Sequence, residues 1–330
     1  MRCYCCGKPI SPEETSCGWH TRCIRKFFGS DIMPELDLSE NALAAYATES
    51  VFKGLTVPGI QRKMSLHLSQ RGTPRLTLVN IPTGYILKPQ APEYANLPEA
   101  EDLAMRIAEK AGVKTVPHAL LRMNGQFAYI TKRIDRDISG KVRLRVRKYA
   151  MEDFCQLDGR LTADKYRGSY ERCAKIIVRY SSRPGLDLSE LFLRLIVSFI
   201  TGNSDMHLKN FSLIETEPGS GTFVLSPAYD LLPVNLLLPE DQEEFALTMN
   251  GKKSNFRRND FLIFARQCGI AEAAAEKLIR GVLSAEQAIL SLCDDSYLPE
   301  DLKTALKELI RSRCARLGQT SVRLDASPDR

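Results

Sequence analysis

Apolar and polar residues alternate along much of residues 53–90, and glycine or proline interrupts the alternation. A period of two between such breaks is typical of β-strands joined by short turns. Residues 97–112 instead carry apolar side chains at helical spacing, with acids near the start and a glycine at the end, which predicts an α-helix. Strands are predicted again at 119–123 and 127–131. This order of elements predicts a small α+β lobe.

The rest of the chain is predicted to be mainly helical. Residues 37–52 are expected to be helical or loosely ordered, and residues 142–147 alternate apolar side chains with arginine, which predicts an amphipathic strand. Its basic face is either solvated or a surface for substrate docking. Beyond residue 151, helices are predicted at 152–157, 166–180, 188–201, 260–268, 271–292 and 299–316, with a hairpin at 211–225. We therefore expect a mostly α-helical second lobe.

The composition agrees with two lobes of an ordinary soluble protein. A chain of 330 residues is too long for one compact core, and 44% hydrophobic with 26% charged residues is typical of a folded soluble protein. No apolar run approaches the ~20 residues of a membrane span, and the amino terminus does not have the features of a signal peptide, so we expect a cytoplasmic protein that does not bind membranes. The net charge of +6 favours anionic ligands without demonstrating nucleic-acid binding.

The first residues of the chain have the spacing of a zinc site. Cys3 and Cys6 form a C-x2-C pair, and His20 and Cys23 form an H-x2-C pair, which together supply the four nitrogen and sulfur ligands of tetrahedral zinc. The residues between the pairs are too few for a core of their own, so a structural metal would supply the folding energy. The alternative is a set of free cysteines at a frayed terminus. Two other nearby cysteines remain possible ligands, Cys5 and Cys17.

A polar loop follows the apolar run that ends near residue 199. Asp205 and Asn210 have the separation of the base and the metal-binding asparagine in a protein-kinase catalytic loop. Asp230 follows a predicted strand, where kinases place a second metal-binding aspartate. Between the first two, His207 is expected to orient the loop, and Lys209 is expected to neutralise charge on a transferred phosphoryl group.

Two residues of the first lobe are candidates for the nucleotide side of such a site. Lys88 ends a predicted strand, in the place of the lysine that contacts ATP phosphates, and Glu101 on the next helix can hold it by an ion pair. The alternatives are an exposed strand lysine and an acid favoured by the helix dipole. The usual Gly-x-Gly-x-x-Gly loop is absent from the sequence. Gly54 and Gly59 stand in its place, where backbone amides can approach phosphates.

This combination resembles the HipA family of serine/threonine kinases, the toxin components of bacterial toxin–antitoxin systems. The matching residues lie between positions 54 and 231, and the string Gly-Asn-x-Asp-x-His-x-Lys-Asn at 202–210 is highly specific. The resemblance implies that Asp205 is the catalytic base and that Asn210 and Asp230 hold magnesium. The residues it implies at the ATP site are Lys88, Glu101, Gly59, Gln61 and Lys63, with Thr131, Lys132, Arg133 and Ile134 in the hinge beside adenine.

The resemblance also carries expectations about partners and regulation. Full-length members have an additional N-terminal subdomain, whereas this chain looks like the short HipT type, whose missing subdomain is a separate protein. The expected partners are that protein, an antitoxin of the HipB type through which nucleic acid is contacted indirectly, and a protein substrate such as an aminoacyl-tRNA synthetase. Family members autophosphorylate a hydroxyl residue before the loop glycine, which here is Thr56.

The expected fold is therefore α+β and two-lobed, like a protein kinase. The expected divisions are a zinc-binding segment at 1–30, an N-lobe with the phosphate loop at 31–150, and a helical C-lobe with the catalytic and metal-binding loops at 151–330. The expected function is an ATP- and magnesium-dependent protein kinase that acts as a growth-arresting toxin. A catalytically silent binding protein with a zinc segment, and a small-molecule kinase on the same fold, remain as alternatives.

Overall fold

The first lobe is built on a sheet that the sequence pattern largely predicts. In the computed structural model, residues 1–14, 16–37, 63–69, 72–78, 84–139 and 145–319 are described. The described residues form a six-stranded sheet with the strand order β1-β3-β2-β4-β6-β5. Its strands are β1 (Glu35–Asp37), β2 (Met64–Ser69), β3 (Arg75–Leu78), β4 (Tyr85–Pro89), β5 (His118–Met123) and β6 (Gln126–Lys132). Only β1 and β3 pair in parallel among these strands.

Three of these strands were predicted closely, whereas β1 was not. The expected strand at 85–88 and the pair at 119–123 and 127–131 are confirmed by β4, β5 and β6. Strand β1 carries no alternating pattern, because three residues are too few to show one. Of the segment 37–52, which was expected to be helical or loose, only Asp37 lies in the described residues, and it ends β1.

Among the described residues of this lobe, two α-helices accompany the sheet. Helix α1 (Thr21–Phe28) belongs to the N-terminal segment, and α2 (Leu97–Lys110) packs against β5, β6 and the second lobe. Helix α2 confirms the prediction for residues 97–112. The chain reverses after it at Gly112, which has φ +96°, and the Val113 N–H closes the turn on the Ala108 carbonyl oxygen at 2.9 Å.

A short hairpin leads from the sheet to the second lobe. It pairs β7 (Arg136–Ser139) with β8 (Arg145–Lys148) in antiparallel register. Strand β8 confirms part of the strand expected at 142–147. An amphipathic pattern implies that the apolar side of this strand is buried. The apolar side chain Val146 is 58% exposed, so this side is not buried against the described residues.

The second lobe is mostly α-helical, as predicted. Its small sheet has the order β11-β10-β9, from β9 (Met151–Asp153), β10 (Ser212–Glu215) and β11 (Phe223–Leu225). Its helices are α3 (Phe154–Leu157), α4 (Tyr170–Tyr180), α5 (Pro184–Thr201), α6 (Val234–Leu237), α7 (Arg258–Gln267), α8 (Glu272–Ser284), α9 (Glu286–Asp294) and α10 (Glu300–Gly318). The hairpin expected at 211–225 is confirmed by β10 and β11.

Three helix predictions in this lobe need correction. The helix expected at 166–180 starts only at Tyr170, because the Ser169 side chain accepts the Arg172 N–H and caps the helix there. The helix expected at 152–157 starts only at Phe154, because the residues before it pair with β10 as strand β9. The single helix expected at 271–292 is two helices that meet at Ala285. No glycine or proline marks the break. Helix α8 packs mainly against α5 and α7, whereas α9 packs mainly against α2 and α10. Tertiary packing therefore redirects the chain at Ala285.

The buried apolar side chains of the described residues form two clusters. One combines a face of α2 with the helices of the second lobe, around α5. The other lies between the N-terminal segment and the six-stranded sheet. This arrangement confirms the α+β, two-lobed fold expected from the sequence. None of the helices in the described part of the chain has the length and apolar character needed to cross a bilayer.

Candidate functional site

The loop after α5, residues 202–210, is held in shape by its own polar groups. Helix α5 ends at Gly202, which has φ +75° and where a side-chain Cβ would lie 2.7 Å from Leu309 Cδ2. The carbonyl oxygen of Asp205 then accepts hydrogen bonds from the His207 N–H at 2.8 Å and from Asn210 Nδ2 at 2.9 Å. Since Nδ2 of Asn210 is engaged in this way, Oδ1 is the amide atom that remains as a possible metal ligand.

The carboxylate of Asp205 has a partner that the sequence did not indicate. The hydroxyl of Tyr166 donates to Asp205 Oδ1 at 2.7 Å, and the Tyr166 ring contacts His207 edge-on at 5.0 Å between centroids. Burial and the hydrogen bond to Asp205 both raise the pKa of Tyr166, so it is a neutral donor. Tyr166 was expected to begin a helix at 166–180 but lies in the turn before α4, and no motif links it to a loop 39 residues later.

His207 lies inside the loop in its neutral form. It is buried, and this burial lowers the pKa of its imidazole. Its Nδ1 accepts the Lys209 N–H at 3.3 Å, and Tyr170 fixes the neighbouring Met206 carbonyl oxygen at 3.0 Å. These contacts tie the imidazole to the backbone of the loop, and the role of His207 in orienting the loop stays a prediction.

Lys209 is bound to an acid at the beginning of the second lobe. Its Nζ lies 2.6 Å from Asp153 Oδ2, while Oδ1 of Asp153 accepts the Gln156 N–H at 2.9 Å and caps α3. The Tyr229 hydroxyl donates to the Lys209 carbonyl oxygen at 3.0 Å. One ion pair therefore ties the 202–210 loop to the start of α3, and the cation of Lys209 is balanced by Asp153 in this structure.

Lys88, Glu101 and Asp230 meet in one cluster, in which the lysine and the glutamate are buried and the Asp230 side chain is 31% exposed. The Lys88 Nζ lies 2.5 Å from Glu101 Oε1 and 2.5 Å from Asp230 Oδ1. Lys88 is 4% and Glu101 1% exposed, so the alternatives of an exposed strand lysine and an ordinary acid of the first helical turn are wrong. Burial would lower the pKa of Lys88, but Asp230 and Glu101 outweigh it and raise that pKa. Strand β4, helix α2 and the second lobe thus converge on one ammonium group.

The other carboxylate oxygen of Asp230 forms an ion pair with a second lysine. Lys63 Nζ lies 3.0 Å from Asp230 Oδ2. Burial alone would raise the pKa of Asp230, but Lys63 and Lys88 together hold it well below its ordinary value. The residue has φ +60°, in the left-handed region that aspartate and asparagine tolerate better than most side chains. Asp230 is therefore an ionised carboxylate, and its backbone has a conformation that few side chains tolerate.

Residues 131–134, expected as the hinge beside adenine, lie where the chain leaves the sheet. Thr131 and Lys132 end β6, and the Thr131 hydroxyl donates to the Pro117 carbonyl oxygen at 3.0 Å. Arg133 forms two hydrogen bonds to Asp135, at 2.9 and 2.7 Å. Ile134 packs against the core of the second lobe. The segment is thus fixed at both ends. The other expected loop residues, Thr56, Gly59 and Gln61, lie outside the described residues.

The four predicted zinc ligands form one cluster at the amino terminus. The ligand atoms of Cys3, Cys6, His20 and Cys23 all lie within 4.8 Å of one another, so the group can hold a metal ion. His20 Nε2 lies 2.9 Å from the Pro9 carbonyl oxygen, which can only accept. The ring proton therefore resides on Nε2, and Nδ1, 3.3 Å from Cys6 Sγ, presents its lone pair to the cluster. This is the tautomer that metal-binding histidines adopt.

The two alternative ligands are not members of this cluster of described residues. Cys17 Sγ lies 3.3 Å from the Trp19 carbonyl oxygen and 3.6 Å from that of Glu14. The thiol of Cys5 is not among the ligand atoms that lie within 4.8 Å of one another in the described residues. The ligand set favoured by spacing, Cys3, Cys6, His20 and Cys23, is therefore also the set that the fold assembles.

Comparison with known proteins finds relatives that are named as kinases. The family model described as HipA-like C-terminal domain matches residues 55–289. A Haemophilus influenzae protein named "Putative kinase" is 26% identical over 94% of this chain and 95% of its own length. Two Sinorhizobium fredii proteins, "Putative kinase Y4mE" and "Putative kinase Y4dM", are 28% and 30% identical over 73% and 66% of this chain. This chain spans only 58% and 54% of their lengths.

Two solved structures share the fold. HipA of Shewanella oneidensis, solved in complex with HipB and its operator DNA, matches with a TM-score of 0.68 at 19% identity over 83% of this chain and 70% of its own. The Helicobacter pylori proinflammatory kinase CtkA matches with a TM-score of 0.51 at 15% identity over 73% of this chain and 90% of its own. At these identities the likeness concerns the fold alone, and it agrees with the two-lobed arrangement described above.

Proposed function

We propose, from the premise that the chain belongs to the family of HipA-like C-terminal domains, that it is an ATP- and magnesium-dependent serine/threonine protein kinase. The observation that carries this proposal is the convergence of Lys88, Glu101 and Asp230, in which the buried Lys88–Glu101 pair meets the partly exposed carboxylate of Asp230. A buried lysine held between a helix acid and an acid of the second lobe is the arrangement that phosphoryl transfer needs on the nucleotide side. The relatives named as kinases support the same reading.

In the proposed reaction, Asp205 orients a substrate hydroxyl and accepts its proton as the oxygen forms a bond to the γ-phosphorus of ATP. The bond from that phosphorus to the β–γ bridging oxygen breaks, and ADP leaves. Tyr166 occupies Oδ1 of Asp205 and so limits the rotation of the carboxylate. Lys88 contacts the nucleotide phosphates, while Asn210 and Asp230 offer the oxygen ligands that magnesium prefers. Bound magnesium would neutralise charge on the phosphates. His207 and Lys209 act on the loop, by the contacts that fix its shape.

We further propose that the kinase is the toxin of a toxin–antitoxin pair and acts in the cytoplasm. The support is the family membership and the fold shared with a HipA that was solved with HipB and operator DNA. The proposed partners are an antitoxin of the HipB type, which alone would contact DNA, and a separate protein equivalent to the HipA N-terminal subdomain. The proposed substrate is a translation component such as an aminoacyl-tRNA synthetase. The proposed divisions of the chain are residues 1–30, 31–150 and 151–330.

Incubation of the purified protein with γ-labelled ATP, magnesium and a bacterial lysate tests the enzymatic proposal. Label on a protein band, identified as phosphoserine or phosphothreonine, is the expected result. Label on a small molecule would replace the proposal with the small-molecule kinase. An absence of transfer, with ATP still bound, would favour the silent binding protein. The Asp205→Asn variant in parallel identifies any label that comes from lysate kinases.

The first prediction concerns regulation at Thr56, the only hydroxyl residue between Gly54 and Gly59. A phosphate there adds roughly −1.5 to −2 charges at pH 7, and like-charge repulsion should oppose bound triphosphate. Mass spectrometry after incubation with ATP should find phosphate on Thr56. Thr56→Asp should bind ATP more weakly than Thr56→Ala. Phosphate found only elsewhere, together with equal ATP affinity of the two variants, would rule out this residue as the switch.

The second prediction concerns the metal. We expect one structural zinc per chain, because Cys3, Cys6, His20 and Cys23 complete a tetrahedral set that leaves no open position for chemistry. Metal analysis should find zinc in the wild type and in Cys17→Ser, whose thiol lies outside the cluster. The double variant Cys3→Ser/Cys6→Ser should have lost it. Zinc retained by the double variant would show that the ligand set is wrong.

A further inference from the structure

The N-terminal module, defined as residues 1–14 and 16–28, is joined to the six-stranded sheet by buried hydrogen bonds. The indole Nε1 of Trp19 donates to the Leu120 carbonyl oxygen at 3.2 Å, and the Leu120 N–H donates to the Tyr4 carbonyl oxygen at 3.1 Å. The Tyr85 hydroxyl donates to the Phe27 carbonyl oxygen at 3.1 Å. Both strands that these bonds reach belong to the first lobe. The module is therefore built into the lobe and shares its core.

Arg106 connects the module to helix α2. Its Nη2 donates to the Tyr4 carbonyl oxygen at 2.9 Å, between the cluster residues Cys3 and Cys6 in sequence. Its Nε donates to Asp102 at 2.6 Å, and Asp102 also lies 3.0 Å from His118 Nδ1. The contact is close, because a Cβ at Gly7 would lie 2.7 Å from Arg106 Nη1. One guanidinium thus joins the cysteine turn to the helix.

The same helix carries Glu101, the partner of Lys88. Residues 102 and 106 lie one helical turn apart on a single face, while Glu101 is rotated from Asp102 by about 100°. Helix α2 therefore presents one face to the N-terminal module through Asp102 and Arg106 and another to Lys88 through Glu101. A shift of the helix that breaks the first contact also moves the second.

The module also reaches the second lobe. The Arg2 guanidinium pairs with Asp295, and the Arg2 N–H donates to the Tyr297 hydroxyl at 3.1 Å. The Tyr297 ring contacts Tyr4 edge-on at 5.2 Å and lies 5.0 Å from the Phe127 ring. Asp295 and Tyr297 belong to the connection between α9 and α10, and α9 packs against α2. The module thus contacts both lobes and the helix between them.

We infer that Arg106 is a positioning residue through which metal binding in the N-terminal module fixes helix α2 and the Lys88–Glu101 pair. A turn that has too few residues for its own core depends on its metal for structure. Loss of the metal would release the Tyr4 carbonyl oxygen from Arg106 and Arg2 from Tyr297. This inference rests on the proposed kinase function for its effect on activity, but its effect on helix α2 is independent of that function.

The variant Arg106→Lys tests the connection without touching a metal ligand. A lysine ammonium can pair with Asp102 but cannot reproduce the fork that serves Asp102 and Tyr4 together. Arg75→Lys is the matched control, because Arg75 lies on β3 of the same lobe and pairs with Glu35 at the surface. We expect Arg106→Lys to retain one zinc per chain and to raise the KM for ATP about tenfold, within the usual range of coupling between sites. The control should match the wild type.

Two further measurements separate this inference from the proposed function. Hydrogen exchange should show faster exchange in residues 97–110 for Arg106→Lys and for wild type stripped of zinc by a chelator, with both proteins still folded by circular dichroism. Added zinc should restore the stripped wild type but not the variant. Unchanged exchange in both proteins would overturn the inference, even for an active kinase. If the wild type transfers no phosphate, the kinase proposal fails, whereas the exchange result still decides the role of Arg106.

If stripping unfolds the chain, Tyr297→Phe provides a milder test. It removes the hydroxyl that accepts from the Arg2 N–H but keeps the ring beside Tyr4. Faster exchange in residues 97–110 with zinc retained would support a connection that runs through the module. Exchange like that of the wild type in both Tyr297→Phe and Arg106→Lys would overturn it.

Discussion

Replacement of Asp205 by asparagine is expected to reduce phosphotransfer by about 10²–10⁴-fold while ATP binding stays unchanged. Asparagine keeps the size of the side chain, and its amide oxygen can still accept the hydrogen bond that Tyr166 donates to Asp205. What it loses is the negative charge and the basicity that take the proton of the attacking hydroxyl. The loop should keep its shape, because His207 and Asn210 bind the backbone carbonyl oxygen of residue 205 and not its side chain.

Single-turnover rates with purified protein substrate, or autophosphorylation rates in its absence, measure this effect. Calorimetry on the same preparation checks that ATP still binds. Asp294→Asn is a suitable control, because Asp294 at the end of α9 pairs at the surface with Lys307 of α10 and has no contact with the loop among its described hydrogen bonds and ion pairs. Turnover of Asp205→Asn close to that of the wild type would show that Asp205 is not the catalytic base. The 202–210 loop would then have no assigned catalytic role.

The sequence predicted structure best where a local pattern of residue types has a single structural explanation. Apolar spacing predicted α2 and strands β4 to β6, because each buries a continuous face. It failed at Ala285, where the apolar pattern continues through a break that tertiary packing causes. The metal ligands could be predicted as a set because C-x2-C and H-x2-C spacings are local. Arg106 could not, because its partner Tyr4 is distant in sequence and offers only a backbone oxygen.

The candidate site shows the same limit. The order of Lys88, Glu101, Asp205 and Asp230 along the chain indicated a kinase, since phosphoryl transfer requires those charges on known elements. The contacts between them depend on the packing of both lobes. The Tyr166 hydroxyl on Asp205 and the Asp153 carboxylate on Lys209 join residues far apart in sequence, and no local pattern encodes such pairs. Geometry of this kind follows only once the fold is known.

The carboxylate of Asp230 is expected to carry the magnesium dependence of nucleotide binding. Asp230→Asn should bind ATP equally with and without magnesium, whereas magnesium should strengthen binding by the wild type. The affinity for magnesium should fall by at least about 10–100-fold, because a loss of that size is typical even when only an outer-shell partner of a metal ligand is removed. The cause is the missing negative charge, which in this structure is held ionised by Lys88 and Lys63. Lys88 keeps Glu101 as its partner in the variant, so the buried ammonium is not left unpaired.

Asparagine is the better substitution than alanine because of the backbone at this position. Asp230 has φ +60°, and asparagine tolerates that conformation, whereas alanine adds a strain of roughly 1–2 kcal/mol. Asp230→Ala should therefore lose the magnesium effect and also unfold at lower temperature than Asp230→Asn. Calorimetric titration with ATP, with and without magnesium, gives the first effect, and thermal unfolding gives the second. If magnesium still strengthens ATP binding by Asp230→Asn as it does in the wild type, Asp230 is not a metal ligand, and the role of its charge would be limited to holding Lys88 and Lys63 in place.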